Sequence, residues 1–171
     1  LCRTIHFLDL MIFKDTTGNL ATKVYTKPTD CQAYLYKTSA HPNHVKTSIP
    51  YGQALRLRRI CSNLDDFDLA STKLQKRLEN RGYETEEIIQ QISEARTRNR
   101  DDLLKYKIKD PSMRIPYVLT YNQTLPNAKE AINKNWNILQ INTKLKDTFK
   151  EKPLIEYRGH KNLGEALAQT N

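Results

Sequence analysis

"SIPYGQALRLRRIC", residues 48–61, decides how the middle of this chain is read. Its Ser-Ile-Pro start reads as a turn, and residues 51–61 then read as a short helix. At about 100° per residue, Ala54, Leu57, Ile60 and Cys61 fall on one apolar stripe. Arg56 and Arg59 share the opposite face, with Arg58 at the border. The phase predicts exposed Arg56 and Arg59 over buried Leu57 and Cys61. From Cys31 to Leu64 there is no Asp or Glu, yet the stretch holds Lys37, Lys46, Arg56, Arg58 and Arg59. Folded surfaces usually mix the two signs.

Tyr34, Tyr36 and Tyr51 are interleaved with these cations. Lysine and arginine neutralise phosphates, and tyrosine stacks on bases or bonds to the sugar-phosphate chain. The plainer reading is a solvated basic face. The formal net charge of +9 favours a polyanionic partner. An anionic membrane fits poorly, because no apolar run approaches the ~20 residues of a spanning helix.

Downstream, Ser62 and Asp65 resemble a capping box. Phe67, Ala70, Leu74 and Leu78 recur at helical spacing, and Gly82 suits a helix stop. A third helix is expected from Thr85, with Glu86 and Glu87 in its first turn and Ile88, Ile92, Ala95 and Leu103 along its stripe. The joint "NRGYET" (80–85) allows either a helix-turn-helix or a plain helical hairpin. Glu86 and Glu87 would face phosphates in a major groove, which counts against base reading there.

Upstream, residues 5–27 read as a β-hairpin. "IHFLDLMIF" (5–13) forms its first strand, "DTTGN" (15–19) its turn and "LATKVYTK" (20–27) its second strand. The first strand is apolar on both faces apart from Asp9, so it asks for cover on both sides. That, with a start inside a strand-like run, suggests a piece of a longer reading frame. Residues 28–50 read as loop, with a short helix near "CQAYLYKTS". In the last third, "IPYVLTY" (115–121) and "PLIEYR" (153–158) are strand candidates expected to pair. "NAKEAINKNWNILQI" (127–141), "TKLKDTF" (143–149) and "NLGEALAQT" (162–170) read as helices. "YKIKDPS" (106–112) marks a boundary. The fold class is α+β: an N-terminal hairpin (1–33), a helical region (34–109) and a small C-terminal αβ unit (110–171).

No complete active site is visible. Cys31, His41, His44 and Cys61 are zinc-type ligands at the wrong spacing for a compact finger. Asp65, Asp66 and Asp68 sit where a helix dipole explains them. There is no phosphate-binding glycine motif. Three unpatterned cysteines suit a reducing compartment. The start lacks the features of a secretory signal.

"FLDLMI", "TKVYTKPTDCQAYLYKTSAHPNHVKTSIPYGQALRLRRICS", "LQKRLENRGY", "IPYVLTYNQTLPN" and "PLIEYRGHKNL" together resemble the downstream part of reverse transcriptases of Penelope-like retroelements. The resemblance implies that Phe7, Leu8 and Asp9 fall at a primer-grip hairpin. The helical region after it would be the thumb, which carries a helix-turn-helix-like name. Lys37, Lys46, Arg56, Arg58 and Arg59 would then meet phosphates. The implied partners are an RNA–DNA hybrid or DNA duplex and an upstream palm domain, in the nucleus or cytoplasm. The family's aspartate pair and its GIY-YIG endonuclease have no counterpart here. The chain is therefore expected to be no enzyme and to need no cofactor, while the parent RNA-directed DNA polymerase would use Mg²⁺. The alternatives are a stand-alone helix-turn-helix DNA-binding protein and a basic protein-interaction module.

Overall fold

The computed structural model describes residues 4–31, 33–106, 114–122, 124 and 127–159. The fold is α+β, in two compact units. One comprises Leu1–Ser39 and Asn43–Lys107, the other Ala40–Pro42 and Ile108–Asn171.

The first unit opens with three antiparallel strands, β1 (Thr4–Phe7), β2 (Leu10–Lys14) and β3 (Leu20–Val24), in that spatial order. The expected single first strand is itself a tight hairpin. Leu8 turns the chain with φ +55°, and Phe7 pairs with Leu10 across a two-residue loop. Such loops favour Gly, Asn or Asp at positive φ, so a leucine there hid the turn. The two-faced apolar run is thus two strands. Ile5 and Phe7 on β1 share a sheet face with Leu10 and Ile12 on β2 and with Thr22 and Val24 on β3. The "DTTGN" turn is as expected. Asp15 Oδ1 accepts from the Thr17 and Asn19 amides, each at 2.9 Å, and Gly18 has φ +87°. Its carboxyl is held below the usual range, chiefly by the Thr17 hydroxyl.

Four helices follow: α1 (Asn43–Ile60), α2 (Leu64–Glu79), α3 (Thr85–Thr97) and α4 (Arg100–Leu104). The expected helix at 51–61 begins eight residues earlier and runs through Pro50. Proline in a helix interior removes a backbone bond and clashes with the preceding turn. Two features accommodate it. The ring is among the most buried groups of the protein, and the Tyr51 amide donates to Gln91 Oε1 of α3 at 2.9 Å. No helix forms near "CQAYLYKTS"; described residues 33–42 are irregular.

The core joins Ala54, Leu57 and Cys61 of α1 and its end to Phe67, Leu74 and Leu78 of α2, Tyr83 of the turn, and Ile88 and Ala95 of α3. The helical stripes of the sequence therefore meet as expected, except that Leu103 lies on α4 after a break at Arg98–Asn99. Helix α2 is capped at Asn63 rather than by a Ser62–Asp65 box, and α3 starts after Glu84 rather than from a Thr85 cap; neither has a side-chain cap bond. The free edge of β3 is covered by the link between α1 and α2. Thr22 N donates to Ser62 Oγ, Ser62 N donates to Thr22 O, and Thr22 Oγ1 donates to Ile60 O. Covering an edge strand this way blocks further pairing there.

The second unit contains β4 (Pro116–Thr120), α5 (Ala128–Ile141), α6 (Thr143–Thr148) and β5 (Leu154–Arg158). The two expected strands do pair, in parallel, from Pro116–Leu154 to Thr120–Arg158. Asn127 and Asn142 cap the helices, accepting from the Lys129 and Lys144 amides. None of the unit's described residues is fully buried. The expected closing helix at 162–170 and most of the boundary at 106–112 lie outside the described residues.

Candidate nucleic-acid interface

The five cations of the acid-free stretch separate into different roles. Helical phase holds for α1: Arg56 and Arg59 are exposed while Leu57 and Cys61 are buried. Arg59's side chain has no acidic partner among the described residues. Arg56 pairs with Asp9 of the β1–β2 turn. Arg58 has buried Nε and Nη1 atoms without a hydrogen-bond partner among the described residues. Lys46 is only 6% exposed, and its ammonium donates to the Ser39 carbonyl at 3.0 Å. Lys37 lies 2.8 Å from Glu87 and 5.1 Å from the centre of the Tyr83 ring. The sequence stretch is free of acids, but its surroundings are not, because Asp9 and Glu87 arrive from distant elements. Lys46 is turned inward and Lys37 serves to hold the turn between α2 and α3.

That turn is built for tight closure. Gly82 has φ +80°, its amide donates to Glu79 O at 2.9 Å, and the Tyr83 amide donates to Leu78 O at 3.2 Å. This is the Schellman arrangement, with glycine in the left-handed position and an apolar residue folding back on the helix. Tyr83 supplies the apolar contact. Burial pushes its phenol up, and Glu87 adds to the effect.

The segment carrying the tyrosines packs against this turn. The Lys37 amide donates to Arg81 O at 2.9 Å, and the Ser39 amide donates to Tyr36 O at 3.0 Å. Tyr34 packs on the core beside the Arg77 and Arg56 guanidiniums. Burial raises its phenol, and those two cations pull it back. Arg81 lies over the Tyr36 ring, 4.4 Å from its centre.

Sequence reading passed over the C-terminal half of α2, and the basic surface continues there. Lys73, Lys76 and Arg77 have no acidic partner among the described residues, and Arg81 follows one turn later with only the Tyr36 ring. Lys73 and Arg77, four apart, share one flank. Three acids of α2 stand at its other end, where Asp68 accepts from Arg96 at 2.9 and 3.0 Å; the fourth, Glu79, closes the helix and accepts from Gln75 and Thr85. The missed signal was the run of cations Lys73, Lys76 and Arg77 beside the Phe67–Leu74–Leu78 stripe.

Residues 33–93 match the family described as the animal helix-turn-helix domain. The matched span runs from the tyrosine segment through α1, α2 and the turn into α3. No curated protein and no solved structure matches the chain. The helix-turn-helix has an acidic entry to its last helix: Glu86 is exposed, and Glu87 pairs with Lys37.

The structure also ties the β1–β2 turn to α1 through the ion pair of Asp9 and Arg56. Leu8 is 66% exposed at positive φ. Of the zinc-type residues, Cys61 lies in the core with its thiol raised by burial, and Cys31 is exposed. Among the described residues, no cluster of three His, Cys, Asp or Glu is arranged to hold a metal ion, and no helix is long and apolar enough to cross a membrane.

Proposed function

We propose that this chain binds a nucleic-acid duplex through its phosphates, without reading base sequence. The observation that carries the reading is the set of cations without acidic partners among the described residues, Lys73, Lys76 and Arg77 on α2, Arg81 after it and Arg59 on α1, with Arg77 beside Tyr34 and Arg81 over Tyr36. Cations without acidic partners lose little when they meet phosphate, whereas Lys37 and Lys46 would first have to break internal contacts. The helix-turn-helix match of residues 33–93 supports nucleic acid as the partner class.

In its finer form the proposal makes the chain the thumb end of a Penelope-like reverse transcriptase. The duplex is then an RNA–DNA hybrid or its DNA product, and a palm domain is the protein partner. Nucleotide addition and its Mg²⁺ belong to that palm, leaving this chain a binding unit with no cofactor of its own, working in the nucleus or cytoplasm. The Phe7–Leu8–Asp9 turn suits a role at the primer strand. A leucine kept exposed in the left-handed region costs about 1 kcal/mol, and such strain gathers at functional sites.

A second reading, a stand-alone helix-turn-helix regulator, is favoured by the family match. Glu86 and Glu87 at the entry of α3 count against it.

A salt titration separates the two. If Arg59, Lys73, Lys76, Arg77 and Arg81 all meet phosphates, log K falls with log salt at a slope of about −4 to −5 on DNA duplex. Changing Lys73, Lys76 and Arg77 together to Ala flattens the slope by about 3, equally on a hybrid and on two unrelated DNA duplexes. An unchanged slope reduces the basic face to solvation or protein contact. A loss confined to one sequence favours the regulator.

A further inference from the structure

The geometry points to a stacking site for an unpaired nucleobase on the ring of Tyr36, with the guanidinium of Arg81 closing one face. The inference rests on the proposed nucleic-acid binding and adds a base contact to it.

Tyr36 is 53% exposed even though Arg81 sits over its ring at 4.4 Å. With Arg81 on one face and half of the residue still in water, the ring keeps surface for a second partner. The ring is also held in place. On its C-terminal side, Lys37 is fixed by its amide to Arg81 O, by its ammonium to Glu87 and by its cation against Tyr83. On its N-terminal side, Tyr34 packs on the core, and the Tyr36 carbonyl accepts from the Ser39 amide. An aromatic ring already fixed loses little conformational freedom when a base covers it.

Chemistry selects the ligand. A cation on one face of tyrosine draws π-density toward itself and leaves the far face less negative, suited to an electron-rich flat ring. A nucleobase offers such a ring, and its backbone would run toward the unpaired Arg77, Lys76 and Lys73. Paired bases inside a duplex are covered by their neighbours, so the site takes a base from a single-stranded end or gap.

The test uses the intact chain and a labelled duplex in three forms: blunt, with a short adenine overhang, and with the same overhang made of abasic sugars. The two overhangs carry equal charge, so phosphate contacts cancel. The adenine form should bind roughly tenfold tighter than the abasic form. Tyr36→Leu should abolish that difference. Tyr36→Trp should restore the difference, which a merely structural role would not predict. Equal binding of adenine and abasic overhangs, with a steep salt slope retained, overturns the stacking site and leaves the phosphate-binding reading standing. A preference that survives Tyr36→Leu also overturns it. Failure to bind any of the three overturns both.

Discussion

Replacing Lys37 with Ala should destabilise the protein without altering how its nucleic-acid affinity depends on salt. Lys37 is drawn into the fold by Glu87 at 2.8 Å, with both side chains about 30% exposed, and by the face of Tyr83 at 5.1 Å. A half-exposed ion pair contributes up to about 1 kcal/mol, and a cation over an aromatic face about 0.5–1 kcal/mol. The expected loss is therefore about 1–2 kcal/mol. For a domain of about 100 residues this lowers Tm by roughly 5–15 °C. Glu87→Gln should have a smaller effect in the same direction, and the Lys37/Glu87 double-mutant cycle should give a coupling of at least about 0.5 kcal/mol. Arg59→Ala should behave in the opposite manner. Its side chain has no acidic partner, so stability stays within about 0.5 kcal/mol, while the salt slope flattens by about 0.9. Thermal melts followed by circular dichroism and binding titrations across salt measure both quantities on the same samples. If Lys37→Ala keeps its Tm and flattens the slope by about 1, the lysine is a phosphate ligand and the sorting of cations by internal contacts is wrong.

Two further outcomes follow from the helix-turn-helix itself. Gly82→Ala should cost about 1–2 kcal/mol in chemical denaturation, with Gly82→Asn costing less, because the added Cβ meets only Lys37 Cβ at 3.9 Å and the strain lies in a φ of +80°. Paired hydrogen bonds from Arg96 hold the Asp68 carboxyl below its ordinary value, so the unfolded chain takes up this proton first as pH falls. The contribution of Asp68 is complete above about pH 4 and is lost below it; Asp68→Asn should flatten the acid limb of a stability-versus-pH curve.

Helical phase was the most legible layer of this sequence. Leu57 and Cys61 face inward, Arg56 and Arg59 face outward, and the Phe67–Leu74–Leu78 stripe forms the core. Period alone carries that information, since each helix buries one face wherever its partners lie. The β4–β5 strands were legible because short β-rich runs stood between polar breaks. Two positions misled because the residue contradicts its conformation. Leu8 occupies a turn site suited to glycine, and Pro50 lies inside a helix that packing sustains. The site was less legible for another reason. Charge counted along the chain cannot see partners that arrive through the fold, and Glu87 stands 50 residues from Lys37, as Asp9 stands 47 from Arg56. Counting cations also drew attention to the acid-free stretch and away from α2, where three acids cluster at the start and the cations stand toward the end, with Glu79 among them.

A helix-turn-helix scaffold need not read bases with its last helix. Its α3 begins with Glu86 and Glu87, and the dipole there stabilises those acids. In a major groove the same carboxylates would oppose the phosphates on either side, and Lys37 neutralises only one of them. Under the proposed reading the duplex meets the cations of α2 instead. There the cations follow the helix C-terminus, which favours positive charge even without a ligand, and the tyrosine segment lies beside them. On this account the turn centred on Gly82 does more than join two helices. It fixes Arg81 over Tyr36 and Glu87 against Lys37, so the surface proposed to meet nucleic acid and the contact that stabilises the fold are set by the same few residues.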